Sequence, residues 1–174
     1  MVDPAQFPAL AAYLDGVPDG LDSYPDCTAK ASMYRTVIDA SLMSPSDTAR
    51  LPPVLRQLAE QPLPVSSWLP EVHSHAMMAA AYDCAFDDDE EFAQWAYAQQ
   101  RALFSGPLYS VAMRLIPPAL LFKSMRLRWG MFHRGITLEV LEQRERHGIA
   151  RLEHPAGIYD EVSRVGLCAG LRAA

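Results

Sequence analysis

At Gly135 the apolar period of this chain changes, and that change constrains the fold more than any other feature of the sequence. Before it, Leu121, Phe122, Met125, Trp129 and Phe132 recur at three-to-four spacing, one stripe of a helix expected over residues 119–133. After it, Ile136, Leu138 and Val140 alternate with Thr137, Glu139 and Leu141, the period-two signature of a strand. Arg144 to Gly148 is turn material, and residues 149–153 read as a second, shorter strand antiparallel to the first. From Tyr159 the period is helical again, with Val162, Val165, Gly166, Ala169 and Gly170 on one side. A two-stranded hairpin is marginal by itself and needs helices to pack on. The fold class is therefore α+β: mostly helical, with a small antiparallel sheet in the C-terminal third packed against the helices. This reading leaves room for a further strand beyond Ala174.

Proline and glycine divide the rest. Residues 1–25 form a turn-rich lead-in with one helical piece near Phe7–Leu14. Asp26 or Thr28 can cap a helix reaching about Met43, ended by Ser44-Pro45-Ser46-Asp47. A short helix spans about Pro52–Glu60, and Gln61-Pro62-Leu63-Pro64 is extended because each residue before a proline is pushed out of the helical region. Pro70 suits the first position of a helix reaching about Phe86, with Val72, Ala76, Ala79 and Ala80 on one side. Asp87-Asp88-Asp89-Glu90-Glu91 reads as the start of the next helix, its carboxylates complementing the dipole, rather than as a calcium loop. A chain of 174 residues fits one domain: the lead-in, a helical part over 27–135, and a hairpin plus final helix over 136–174.

Composition excludes several classes. Half the residues are hydrophobic and 21% are charged, which is a globular and not a disordered balance. No apolar run approaches the roughly 20 residues that span a bilayer, so no membrane span is expected. Met1-Val2-Asp3-Pro4 has neither a basic nor an apolar stretch, so no secretory signal is expected. Cys27, Cys84 and Cys168 are far apart, which argues for a reducing, cytoplasmic setting without disulfides or a zinc ribbon. Cys84 and Cys168 read as core thiols and Cys27 as the exposed one. The net charge of −6 conceals an asymmetry. Residues 1–100 hold 4 basic and 15 acidic side chains, and residues 101–174 hold 11 and 6. Such halves can dock on each other or on a second copy, and an open sheet edge invites pairing, so a homodimer is expected. An acidic body is a poor nucleic-acid partner, and none is expected.

Candidate chemistry is sparse. There is no nucleophile elbow, dinucleotide fingerprint, phosphate loop or zinc-protease motif. Glu71-Val72-His73-Ser74-His75 is the most metal-like stretch. On a helix, Glu71 and His75 share a face while His73 points about 200° away. That leaves at most two ligands where a catalytic zinc takes three, so no metal is expected. His133 and Arg134, at the junction of helix and strand, are either polar contacts to a ligand or charges complementing a helix end. A large aromatic and methionine set is either core or the lining of a pocket.

Several short stretches carry a resemblance. Pro117-Pro118-Ala119-Leu120-Leu121-Phe122 and Arg128-Trp129-Gly130-Met131-Phe132-His133-Arg134-Gly135 precede the alternating strand. Trp68-Leu69-Pro70-Glu71, Phe104-Ser105-Gly106-Pro107-Leu108-Tyr109, Gly166 and Gly170 belong to the same pattern. Over about residues 27–174 the chain resembles the ligand-binding superfamily of the 4-vinyl reductase domain, the TRAPP trafficking subunits and the heme–nitric-oxide domain, and in particular uncharacterised bacterial members. The resemblance implies a helical half closing an apolar pocket against a sheet, with small molecules, acyl chains or partner subunits as ligands, and often dimers. It implies a pocket lined by Trp95, Tyr109, Met113, Phe122, Met125 and Trp129, with His133 and Arg134 as polar groups. The heme branch uses a Tyr-x-Ser-x-Arg signature. Tyr109-Ser110-Val111-Ala112-Met113 lacks its Ser and Arg, so heme is not implied, and no cofactor is expected. The expected function is a non-enzymatic sensory or binding module for an apolar small molecule or partner helix. The alternatives are a small-molecule enzyme using the same pocket, with no catalytic residue assigned, and a ligand-free dimerising scaffold.

Overall fold

Three short extended segments, far apart in sequence, meet in one sheet. In the computed structural model, which describes residues 2–105, 129–144 and 148–173, strand β1 (Thr28–Lys30) lies between β2 (Trp68–Pro70) and β3 (His133–Arg134), antiparallel to both. Ala29 stands opposite Leu69 on one side and His133 on the other. Strand alternation then sorts the side chains. Ala29, Leu69 and His133 are buried, while Thr28, Lys30, Trp68, Pro70 and Arg134 share the opposite, more open face.

This sheet corrects three sequence expectations. Residues 28–30 are strand and not the start of a helix, Pro70 ends a strand before it caps a helix, and His133 is strand and not a helix end, the helical residues described before it being 129–132. The physical reason is pairing. Strands of two or three residues have no readable period, and their backbone groups are satisfied only by partners elsewhere in the chain. The Ala31 amide donates to the Ser67 carbonyl and the Glu71 amide to the Cys27 carbonyl, at 2.9 and 2.8 Å.

Around the sheet stand helices α1 (Pro8–Asp15), α2 (Ser32–Asp39), α3 (Pro45–Arg50), α4 (Pro53–Glu60), α5 (Glu71–Ala85), α6 (Asp89–Ser105) and α7 (Glu161–Ala173). The stretch read as a helix stop, Ser44 to Asp47, instead starts α3. The Ser44 hydroxyl accepts from the Asp47 amide and the Asp47 carboxylate accepts from the Ser44 amide, a reciprocal capping box. Helix α5 is the hub. Its face of Val72, Ala76, Met77, Ala79 and Ala80 is fully buried, and α1, α2, α4 and α7 pack on it. Alanines let those helix axes approach closely.

The lead-in is more than a lead-in: Phe7, Leu10, Tyr13 and Val17 belong to the same core cluster. Helix α1 has no capping side chain of its own. Asp83 of α5 supplies one, accepting from the Ala9 and Leu10 amides, each at 3.0 Å. Asp83→Ala is expected to cost about 1–2 kcal/mol, read by urea unfolding, because two orphaned helix donors lose their acceptor. A loss under about 0.3 kcal/mol would mean that water caps α1 equally well.

The C-terminal hairpin is as expected, antiparallel and offset from the expected bounds by one or two residues: β4 (Thr137–Gln143) and β5 (Gly148–Glu153). Leu138 faces Leu152 and Val140 faces Ala150, and a bulge at Leu141 shifts the register. Ile136, buried in the core cluster, and Leu152, packed against it, root the ribbon. Its outer part is open, with Leu141 52% and Ile149 43% exposed. Helix α7 packs on α6 and α5 rather than on the hairpin, and Val162 and Ala169 are buried there. Among the described residues no helix is long and apolar enough to cross a membrane.

Candidate functional site

Glu71 is the first residue of α5, and its carboxyl is almost entirely buried, 1% exposed. Two constraints put it there. Its amide is tied to Cys27 of the strand β1 region, and its neighbour Val72 belongs to the buried face. A charge so placed must be paired. The inward side chain of β3 provides the partner: His133 Nδ1 lies 2.9 and 3.2 Å from the two Glu71 carboxylate oxygens. One helical turn on, His75 Nε2 stands 3.3 Å from Glu71 Oε1, without the alignment of a hydrogen bond. The Tyr159 hydroxyl donates to the same oxygen at 3.4 Å.

Burial pushes the Glu71 carboxyl up. The hydrogen bond from His133 and the nearness of His133 and His75 outweigh it and hold the group down at about 2. Glu71 is thus a carboxylate and an acceptor only, which assigns the ring protons. His133 Nδ1 donates, so in the neutral ring its Nε2 is the basic nitrogen. His75 likewise carries its proton on Nε2, facing Glu71. Its Nδ1 then accepts from the Ser163 hydroxyl, 2.8 Å away on the first turn of α7. The Ser163 amide donates to Asp160 at 2.8 Å.

Aromatic rings close over this network. The Trp129 indole stacks on His133, with centroids 3.9 Å apart and planes 12° apart, and its N–H donates to the Ile136 carbonyl at 3.1 Å. Tyr159 and Tyr13 pack edge-on against His75. Burial pushes both phenols up, and Glu71 adds to this in each, so both remain donors. The cluster joins α5, β3 and α7, and it sets a buried carboxylate, two imidazoles and the hydroxyls of Tyr159 and Ser163 side by side.

The expected pocket residues separate. Trp129 and His133 are brought to Glu71. Arg134, next in sequence, lies on the other face of the sheet, its guanidinium 3.8 Å from the Trp68 ring centroid; Lys30 Nζ lies 4.1 Å from the same ring. Trp95 packs with Phe86 and Phe92. Tyr109, Met113, Phe122 and Met125 lie outside the described residues. His73 turns to the Leu21 carbonyl, 3.1 Å away, and so points elsewhere than His75. Two thiols are corrected. Cys27 is buried, because β1 and Gly135 close over it, and Cys168 is exposed on the open side of α7. Burial raises the Cys84 thiol to about 11, and the nearby Asp47 and Asp83 add to this.

Sequence reasoning missed Tyr13, Tyr159 and Ser163, which reach the site from both ends of the chain. The available signal was Glu71 itself, a carboxylate beside the most apolar face of the protein. Among the described residues no three His, Cys, Asp or Glu side chains are disposed to ligate one ion. Comparisons with protein-family models, curated proteins and solved structures return no match.

Proposed function

We propose that this chain is a non-enzymatic sensory or binding module of the cytoplasm that takes an apolar small molecule, or a partner helix, between its helices and the three-stranded sheet, and works as a homodimer. One observation carries the reading: the buried Glu71–His133 pair beneath Trp129. A buried carboxylate tied to a histidine adds little net stability, since desolvation cancels much of the attraction, and apolar side chains would pack there at least as well. A few fixed polar groups among aromatic rings are, by contrast, the composition of small-molecule sites. Native mass spectrometry of protein purified from cells tests it. The expected result is a co-purifying small molecule, lost in a folded His133→Gln variant. Bare wild-type protein would overturn ligand binding and favour the scaffold reading.

A second reading is supported by a different observation: Ser163 is hydrogen-bonded to His75, whose other ring nitrogen stands 3.3 Å from Glu71, the order of groups that nucleophilic enzymes use. Labelling of Ser163 by a fluorophosphonate, abolished in His75→Gln, would favour the enzyme. Absence of labelling would remove it.

A further inference from the structure

We infer that two copies of this chain pair through the β4–β5 ribbon, strand β5 against strand β5. The inference rests on the homodimer reading above and names its contact. Among the described residues the ribbon has two strands, so each has one edge without a strand partner. It is amphipathic. Leu138, Val140, Ala150 and Leu152 share one face, and Glu139, Arg151 and Glu153 share the other, where Arg151 pairs with Glu139 at 2.7 Å and Glu153 at 3.0 Å. Only the root of the apolar face is covered: Leu138 is buried, whereas Ala150 is open. A ribbon of this kind becomes stable when further strands extend it.

The two edges differ. On β4 the bulge at Leu141 breaks the ladder, and the charged residues along the strand, Glu139 and Glu142, are both acidic; both features oppose edge pairing. Strand β5 has no bulge and carries charges of both signs. A twofold axis normal to the sheet keeps the two apolar faces on one side. Centred on Arg151, it would set arginine on arginine. Centred on Leu152, it sets Leu152 opposite its own copy and Arg151 opposite the partner's Glu153, twice over. That register is charge-complementary; it pairs residues 151–153 of the two strands and sets Leu152 against its copy on the apolar face.

Sedimentation of the full chain over a wide concentration range tests this, with circular dichroism to confirm that each variant folds. The wild type is expected to dimerise. Arg151→Glu and Glu153→Arg, each alone, should weaken the dimer by about tenfold or more, because each replaces two attractions by two repulsions. The double swap, Arg151→Glu with Glu153→Arg, should restore it. A dimer indifferent to the single substitutions, or not restored by the double swap, would overturn the inference and leave the homodimer reading standing. A wild type that is monomeric at every concentration would overturn both.

Discussion

Glu71→Ala is expected to lower the unfolding free energy by about 3–5 kcal/mol, because buried donors lose their charged acceptor and a cavity is left behind. The loss exceeds that of a cavity. His133 and Tyr159 would lose the carboxylate that they donate to, and His75 the group that it stands beside. The pH dependence separates the electrostatic part from the packing part. The Glu71 carboxyl sits at about 2 against an ordinary 4.5, so the unfolded chain takes up the proton first as pH falls. Its contribution, about 3 kcal/mol, is fully present above pH 4.5 and is lost as the pH falls from 4.5 to 2. Urea unfolding of wild type and variant should therefore give curves that converge toward pH 2. A difference that stays constant with pH would assign the loss to packing alone. His73, lowered by burial, also favours the neutral-pH fold and adds to the acid loss below 6.5. Asp83, raised by burial, opposes it, because the folded state takes up that proton more readily.

Gly157→Ala is the second large effect, about 2–5 kcal/mol, read by thermal or urea unfolding. Gly157 has φ +78°, where a side chain costs about 1–2 kcal/mol. A methyl there would also stand 2.1 Å from the Gly16 carbonyl oxygen, backbone against backbone, and overpacking adds about 1–3 kcal/mol. The loop around it delivers Ile158 and Tyr159. Tyr24 donates to the Ala156 carbonyl at 2.6 Å and Tyr13 to the Ile158 carbonyl at 3.2 Å. Relief of the clash would pull Tyr159 away from Glu71. A cost under about 1 kcal/mol would show that this loop moves freely off Gly16.

What could be read in the sequence was local. Helix α5 and the hairpin declared themselves because each carries its period over enough residues, and Glu71 and His75 share a face by helical geometry alone. What could not be read was pairing at a distance. Ala29 has no local reason to be extended; it is so because Leu69 and His133 flank it. The same holds for the site. Nothing near Glu71 indicates a histidine 62 residues on, or a tyrosine and a serine still further along. Arg134 misled for a related reason: in a strand its side chain must leave on the opposite face from His133, whereas in the expected helix end the two could have served one ligand.

The separation of Glu71 from its partners also sets an order of events during synthesis. The carboxylate leaves the ribosome early, within a helix whose neighbouring face is already apolar. His133, Tyr159 and Ser163 follow only after most of the chain has been made. Until then the growing polypeptide has only His75 beside that carboxylate, and burying it around α5 is penalised. The sheet, the charge cluster and the contact between α6 and α7 can all be complete only once residues 133–173 have been made.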